Sequence, residues 1–187
     1  MGFTKEQLDQ YQGATVPDLL GKDCRLLFVG INPGLWTVAT QTHFCHPSNR
    51  FYPALRQAGL IDWWIDTSVG MTDDQRSSFT EAGLGITNLV SRATVRASEL
   101  SATELVEGSG RLEELVSARR PDVVAVAGVT AYRTAFNEPR GQVGRQEAGI
   151  VGSELWVVPN PSGLNAHETV DSLADWYQKV AVLAGLL

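Results

Sequence analysis

Two asparagine–proline turns, far apart in the chain, carry the chemistry of this sequence. Gly30-Ile31-Asn32-Pro33-Gly34 follows the apolar run Leu26-Leu27-Phe28-Val29, and Asn160-Pro161-Ser162-Gly163-Leu164 follows Leu155-Trp156-Val157-Val158. Asn-Pro favours a sharp turn, and an adjacent glycine lets backbone N–H groups approach a ligand. Polar groups therefore gather where two buried strands end. In an open α/β sheet, ligands bind in the crevice beyond the carboxyl ends of the strands. Brought to that edge, the two turns would form one pocket from distant parts of the chain. An amide offers a donor and an acceptor but is no strong base, so it would orient a reactant rather than take its proton.

Other catalytic patterns are missing. Gly30 to Gly34 lacks the spacing of a dinucleotide fingerprint, and no Gly-x-x-x-x-Gly-Lys-Ser/Thr phosphate loop occurs. Without a Gly-x-Ser-x-Gly elbow, Ser162 is a poor acyl-transfer nucleophile. His43 and His46 have no carboxylate or cysteine at a spacing that completes a metal site, and two cysteines exclude a four-cysteine cluster. No metal and no cofactor are expected.

The elements that must hold these turns follow from periodicity. Residues 24–30, 85–90, 122–128 and 154–158 read as strands, with 147–152 and 154–158 forming a hairpin turned at Gly152-Ser153. Helices are expected over 4–12, with Thr4-Lys5-Glu6-Gln7 as a capping box, and over 47–58 and 73–82. Further helices are expected over 101–119, interrupted at Gly108 and Gly110, then from a cap at Thr130 to Phe136, and over 170–186. Apolar strands alternating with helices predict a single-domain, three-layer α/β/α fold around a mostly parallel sheet, spanning residues 1–187 with its core over about 24–186.

Composition sets outer limits. The chain has 187 residues, 43% of them hydrophobic and 19% charged, as in ordinary globular domains. No apolar stretch approaches the roughly 20 residues of a membrane span, so no membrane partner is expected. The polar start, with Lys5, Glu6 and Asp9, is unlike a signal peptide. Cys24 and Cys45 are the only cysteines, which fits a reducing, cytoplasmic setting. A net charge of −6 argues mildly against a nucleic-acid partner, yet Arg50, Arg56, Arg92, Arg96, Arg140 and Arg145 fall in clusters that could make a local basic face. Charge leaves that question open.

With the two turns, the segment His46-Pro47-Ser48-Asn49-Arg50-Phe51 completes a set of three in characteristic order and separation. The set resembles the mismatch-specific uracil-DNA glycosylases, the branch of the uracil-DNA glycosylase superfamily that includes thymine-DNA glycosylases. The likeness runs from about Cys24 to Trp176, nearly the whole chain. It implies a monofunctional enzyme, a monomer acting on double-stranded DNA. The enzyme would flip uracil out of a G·U mispair, hydrolyse its bond to C1′ and leave an abasic site.

The same resemblance assigns roles. Asn32 would orient the attacking water, Ile31 N–H would meet the departing uracil anion, and Phe44 would stack on the base. Gly34 would leave room around the uracil 5-position for bulkier lesions, ethenocytosine among them, while Thr37 and Asn160 would line the pocket. Leu164 would wedge into the duplex, with Gly163 and Asn165 offered to the widowed guanine. Ser162 would contact a phosphate, and Arg50, Arg92 and Arg96 are the candidates for the DNA face. Neither motif contains a lysine, so Schiff-base lyase chemistry is not expected, and an amide in place of a carboxylate predicts slow turnover. Ala166 stands where these relatives place an arginine beside the wedge, and His167 is the substitute at hand. Two alternatives stay open: a lesion binder that lost the chemistry, and an α/β hydrolase of free nucleosides.

Overall fold

The computed structural model describes residues 2–187. Strands Leu26–Gly30 (β1), Leu84–Asn88 (β2), Val123–Ala127 (β3), Gly144–Ile150 (β4) and Ser153–Val158 (β5) form one sheet in the order β2-β1-β3-β5-β4. The ladders β2–β1, β1–β3 and β3–β5 are parallel, and β4 pairs antiparallel with β5. Every residue of β1 and β3 is buried, so both faces of these central strands are apolar and their sequences run without alternation.

Among the described residues seven α-helices accompany the sheet: Lys5–Asp9 (α1), Leu35–Thr40 (α2), Phe51–Gln57 (α3), Asp73–Glu81 (α4), Ala102–Arg119 (α5), Val129–Ala135 (α6) and Val170–Leu183 (α7). Successive strand residues point to opposite faces. Leu26, Phe28, Val123 and Ala125 meet Phe51 and Leu55 of α3, Phe79 of α4 and Tyr177 of α7. Leu27, Val29, Val124 and Val126 meet Leu112 and Val116 of α5 and Ala131 and Tyr132 of α6. The result is the three-layer α/β/α fold expected. From β1 the chain builds β2 on one side and later β3 on the other, so the strand order reverses between β1 and β3. That reversal marks the usual ligand crevice of such sheets.

Local differences from the sequence expectation have local causes. Helix α2 was not anticipated: its N-cap is Gly34, which supplies no side-chain cap, so the usual start signal is missing. Helix α3 starts at Phe51 rather than Pro47. Asn49 N–H bonds the His46 carbonyl (2.8 Å) and the Asn49 side chain accepts from Phe51 N–H (2.9 Å), which spends this stretch on a turn. Helix α6 is capped by Gly128, with Thr130 already inside its first turn. The β4–β5 turn sits at Val151-Gly152, both with positive φ (47° and 86°), the signature of a two-residue hairpin loop.

Helix α5 runs unbroken through Gly108 and Gly110. Gly108 is buried, and a Cβ there would collide with the Leu89 carbonyl, to which Arg111 Nη2 also donates (3.0 Å). The glycine is therefore a close-packing residue that lets α5 lie against the start of the loop after β2. The two glycines should respond oppositely to alanine. Gly108→Ala gains up to about 1 kcal/mol of helix propensity but overpacks a backbone contact at about 1–3 kcal/mol, a net loss. Gly110→Ala meets nothing within 4 Å and should stabilise by about 0.4–1 kcal/mol. Urea unfolding midpoints of the two variants check both signs.

Candidate active site

β1 ends at Gly30, and the following residues run beside the loop that leaves β2. Leu89 N–H donates to the Gly30 carbonyl (2.9 Å), Val90 N–H to Ile31 (2.9 Å) and Thr94 N–H to Pro33 (3.2 Å). The Asn32 side chain lies between these two segments. Its Nδ2 donates to the carbonyls of Pro33 (3.2 Å) and Arg92 (3.0 Å) and to Thr94 Oγ1 (2.8 Å). Carbonyls only accept, so the nitrogen end must face them. Thr94 Oγ1 gives its own proton to the Arg96 carbonyl (2.9 Å), which leaves it a lone pair for Asn32. Every contact fixes the amide one way round and turns Oδ1 away from the loop as an acceptor.

Asn32 lines a cavity of about 290 Å³ together with Gly34, Thr37, His43, Phe44 and Asn88. That lies near the lower end of small-ligand sites, roughly 300–1,000 Å³. The Phe44 ring is stacked on Phe51 (centroids 4.2 Å apart, planes at 26°), and its backbone holds a left-handed φ of 57°. For an aromatic residue that conformation costs on the order of 1–3 kcal/mol and persists only where its surroundings over-determine it. Gly30 is part of what does so. A Cβ at Gly30 would lie 3.1 Å from the Phe44 ring and collide with Asn88 Oδ1, so only glycine admits both groups this close to the strand end. Gly34, by contrast, has nothing within 4 Å of where its Cβ would be, and the space beside it is open.

Asn88, the last residue of β2, was not among the residues singled out from sequence. His43 Nε2 lies 2.9 Å from the Pro17 carbonyl, so it carries the ring proton, and Nδ1 then accepts from Asn88 Nδ2 (3.0 Å). Burial pushes the His43 pKa down, against the pull of the Pro17 hydrogen bond, and the neutral ring is the form this chain of bonds needs. Asn88 is thereby fixed with one amide N–H and its oxygen uncommitted beside the cavity.

The second turn closes the other side. Asn160 Oδ1 accepts from Ser162 N–H (3.0 Å), Ser162 Oγ from Leu164 N–H (3.3 Å), and Asn165 Nδ2 donates to the Asn160 carbonyl (3.0 Å). Gly163 lies so close to Ser48 that a Cβ would stand 2.5 Å from its hydroxyl. This compact turn presents Leu164 to solvent at 92% exposure. A groove of about 790 Å³ opens from the cavity, sharing Asn32, Gly34 and Phe44 with it and adding Ile31, Gly128, Asn160, Ser162, Leu164 and Asn165. Ile31 N–H has no acceptor among the described residues.

The structure thus brings together Ile31, Asn32, Gly34, Thr37, Phe44, Asn160, Ser162, Leu164 and Asn165, with Gly163 in the same turn. Two arginines expected on the DNA face are engaged within the protein. Arg92 is turned to Glu104, donating from Nε (2.5 Å) and Nη2 (3.1 Å), and this bond with help from the Ser101 backbone holds the Glu104 carboxyl at about 2. Only the Arg92 carbonyl reaches the site. The Arg50 guanidinium donates to the Ser162 (3.2 Å) and Asn165 (3.0 Å) carbonyls, and its N–H to that of Pro161 (2.9 Å). It clamps the second turn from within. Arg96 does line the groove, and among the described residues its guanidinium has no ion pair. Spacing along the chain could not reveal which arginines a distant glutamate or carbonyl had already engaged.

A family model for the uracil DNA glycosylase superfamily matches residues 17–182, most of the chain and all of this site. The chain belongs to that superfamily. Membership carries DNA glycosylase chemistry, hydrolysis of the base–sugar bond in DNA repair. The fold is similar to the solution NMR structure of a "putative Uracil DNA glycosylase" from Methanosarcina acetivorans. The two share 19% sequence identity and superpose with a TM-score of 0.60 over 94% of this chain and 98% of the other.

His43 makes the fold sensitive to acid. The unfolded histidine takes up its proton near 6.5, the folded one only at lower pH. Its contribution is therefore complete above about 6.5 and is lost as pH falls from there toward the folded value. Thermal midpoints should drop through this window and the drop should be shallower in His43→Gln. Some slope should remain, because burial shifts His46 in the same direction. Melting curves between about pH 5 and 8 measure both slopes.

Proposed function

We propose that this glycosylase hydrolyses uracil, and bulkier pyrimidine lesions, from G·U mispairs in duplex DNA after swinging the base out of the helix. The observation that carries this reading is the Asn32 amide oxygen and the Phe44 ring on one base-sized cavity, which opens through a groove to an almost fully exposed Leu164.

The flipped base would stack on Phe44, a contact worth about 1–3 kcal/mol per base on aromatic platforms. Asn88 complements the imide edge of uracil: its oxygen accepts the N3 proton and its free amide N–H donates to O4. Because His43 fixes that amide, cytosine, with the opposite pattern of donor and acceptor, is disfavoured. Ile31 N–H is suited to the O2 of the departing base, where negative charge grows as the bond to C1′ breaks. Water hydrogen-bonded to Asn32 Oδ1 then adds to C1′. The electron pair of the broken bond leaves with the base, and the water proton passes to that anion or to solvent.

Leu164 has the form of a duplex wedge, an apolar side chain inserted between base steps. An exposed leucine on a braced turn has no use in hydrolysing free nucleosides, which favours DNA as the substrate. Ser162, its hydroxyl proton uncommitted, and Arg96 are suited to phosphate. The open space at Gly34 supports entry of bases substituted at the 5-position.

Two variants test the assignments. Asn32→Ala should lower the single-turnover rate of uracil excision from a G·U duplex by at least about 10², the scale of losing a positioned reactant. A non-catalytic lesion binder would bind that duplex and release no base at all. Leu164→Ala should cost roughly tenfold on duplex DNA, the worth of one buried leucine, and much less on single-stranded DNA, where nothing has to be unstacked. Equal losses on the two substrates would remove Leu164 from base extrusion.

A further inference from the structure

We propose that residues 8–14, ahead of the first strand, are a brace that sets the direction of the Asn32 amide, so that the amino-terminal segment takes part in positioning the attacking water. The inference rests on the function proposed above.

Helix α1 has five residues, none of them buried, and is far too short to be stable by itself. What holds the segment is the loop that also holds Asn32. Gly13 N–H donates to the Ala93 carbonyl (2.9 Å) and Ala93 N–H to the Ala14 carbonyl (2.8 Å). Both backbone groups of Ala93 are thus paired with consecutive residues of the segment. Leu8, Tyr11 and Ala14 pack on a small separate core of Val16, Leu35, Val38 and Ala93, in which Ala93 is wholly buried. Gln12 Nε2 adds a bond to Glu99 (3.2 Å) beyond the same loop.

Ala93 lies between Arg92 and Thr94, which supply two of the three acceptors of Asn32 Nδ2. Among the described residues no other ties both of its backbone groups to this segment, and its neighbours on either side hold the amide. If the segment lets go, two peptide groups of the loop turn to water and the acceptors shift with them. A displacement of about 1 Å at a positioning group is enough to cost on the order of 10² in rate. Leu8 itself lines the base cavity, so the segment borders the reaction space it braces.

Two variants of the full chain separate the parts. Gly13→Pro removes the N–H that Ala93 accepts, and proline cannot adopt the φ of 78° found there. Tyr11→Ala removes packing and leaves the hydrogen bonds. Two readouts are needed: single-turnover excision from a G·U duplex, and NMR exchange of the Asn32 side-chain amide protons, which are held by Arg92 and Thr94.

Expected for Gly13→Pro are at least a tenfold faster exchange of those protons and about a tenfold slower excision. Binding to a duplex carrying uncleavable 2′-fluorodeoxyuridine should change less than threefold. Tyr11→Ala should move the same readouts in the same direction, and Lys5→Ala, which breaks only an exposed ion pair, should move none. Unchanged Asn32 exchange in Gly13→Pro overturns the brace. So does global unfolding of that variant, which would make the segment a support of the whole fold. If the unaltered chain releases no uracil, the proposed function fails, while the exchange measurement still decides the brace.

Discussion

The site depends on a restriction of hydrogen-bond chemistry: a carbonyl oxygen can only accept. Asn32 lies between two of them, from Pro33 and Arg92, and beside a threonine hydroxyl whose proton is already given away. An asparagine amide would otherwise be free to present either end, and a nitrogen facing the cavity would hold water by its lone pair. With the nitrogen committed inward, Oδ1 is the end left free to accept. A residue with no useful basicity is held in one orientation because the backbone removes its freedom.

The sheet topology makes that arrangement reachable. Reversal of strand order between β1 and β3 leaves a gap at their carboxyl ends, and the ends of β1, β2, β3 and β5 deliver Asn32, Asn88, Gly128 and Asn160 to it. Glycines settle how close the parts come. Gly30 admits Phe44 and Asn88 to the end of β1, and Gly163 admits the second turn to Ser48. Any larger residue at either place would move the Phe44 ring or the Leu164 turn relative to the Asn32 amide.

Much of this was legible in the sequence, because parallel buried strands read as apolar runs and their ends as glycine, proline and asparagine. The runs at Leu26, Val123 and Leu155 identified three strands, and the two Asn-Pro turns identified the edge that matters. Asn88 had the same credential as Asn32, an asparagine closing a strand. It escaped notice because no proline or glycine follows it and its run, Leu84-Gly85-Ile86-Thr87, is weakly apolar. Thr94 was illegible for a different reason: its importance lies in one lone pair offered across the loop. Arg50 and Arg92 show the limit of reading charge by position. Their partners, the carbonyls of 162 and 165 and the Glu104 carboxylate, are set by tertiary contact alone.

Two features run against ordinary folding economy, and both line one groove. Phe44 keeps a left-handed backbone, and Leu164 keeps a whole apolar side chain in water. Each alone could be an accident of a loop. Together they suit a surface whose complement arrives from outside: under the proposed function a flipped base would cover the ring and a vacated step in the duplex would cover the leucine. The burial missing from the free protein would then become available on binding, set against the few kcal/mol of unstacking and unpairing that extrusion costs. A mispaired base lowers that cost, so under the proposed function a wedge of modest strength would favour mismatches without any contact to the opposite strand. Selectivity in such a design comes as much from how readily the DNA yields as from what the protein reads.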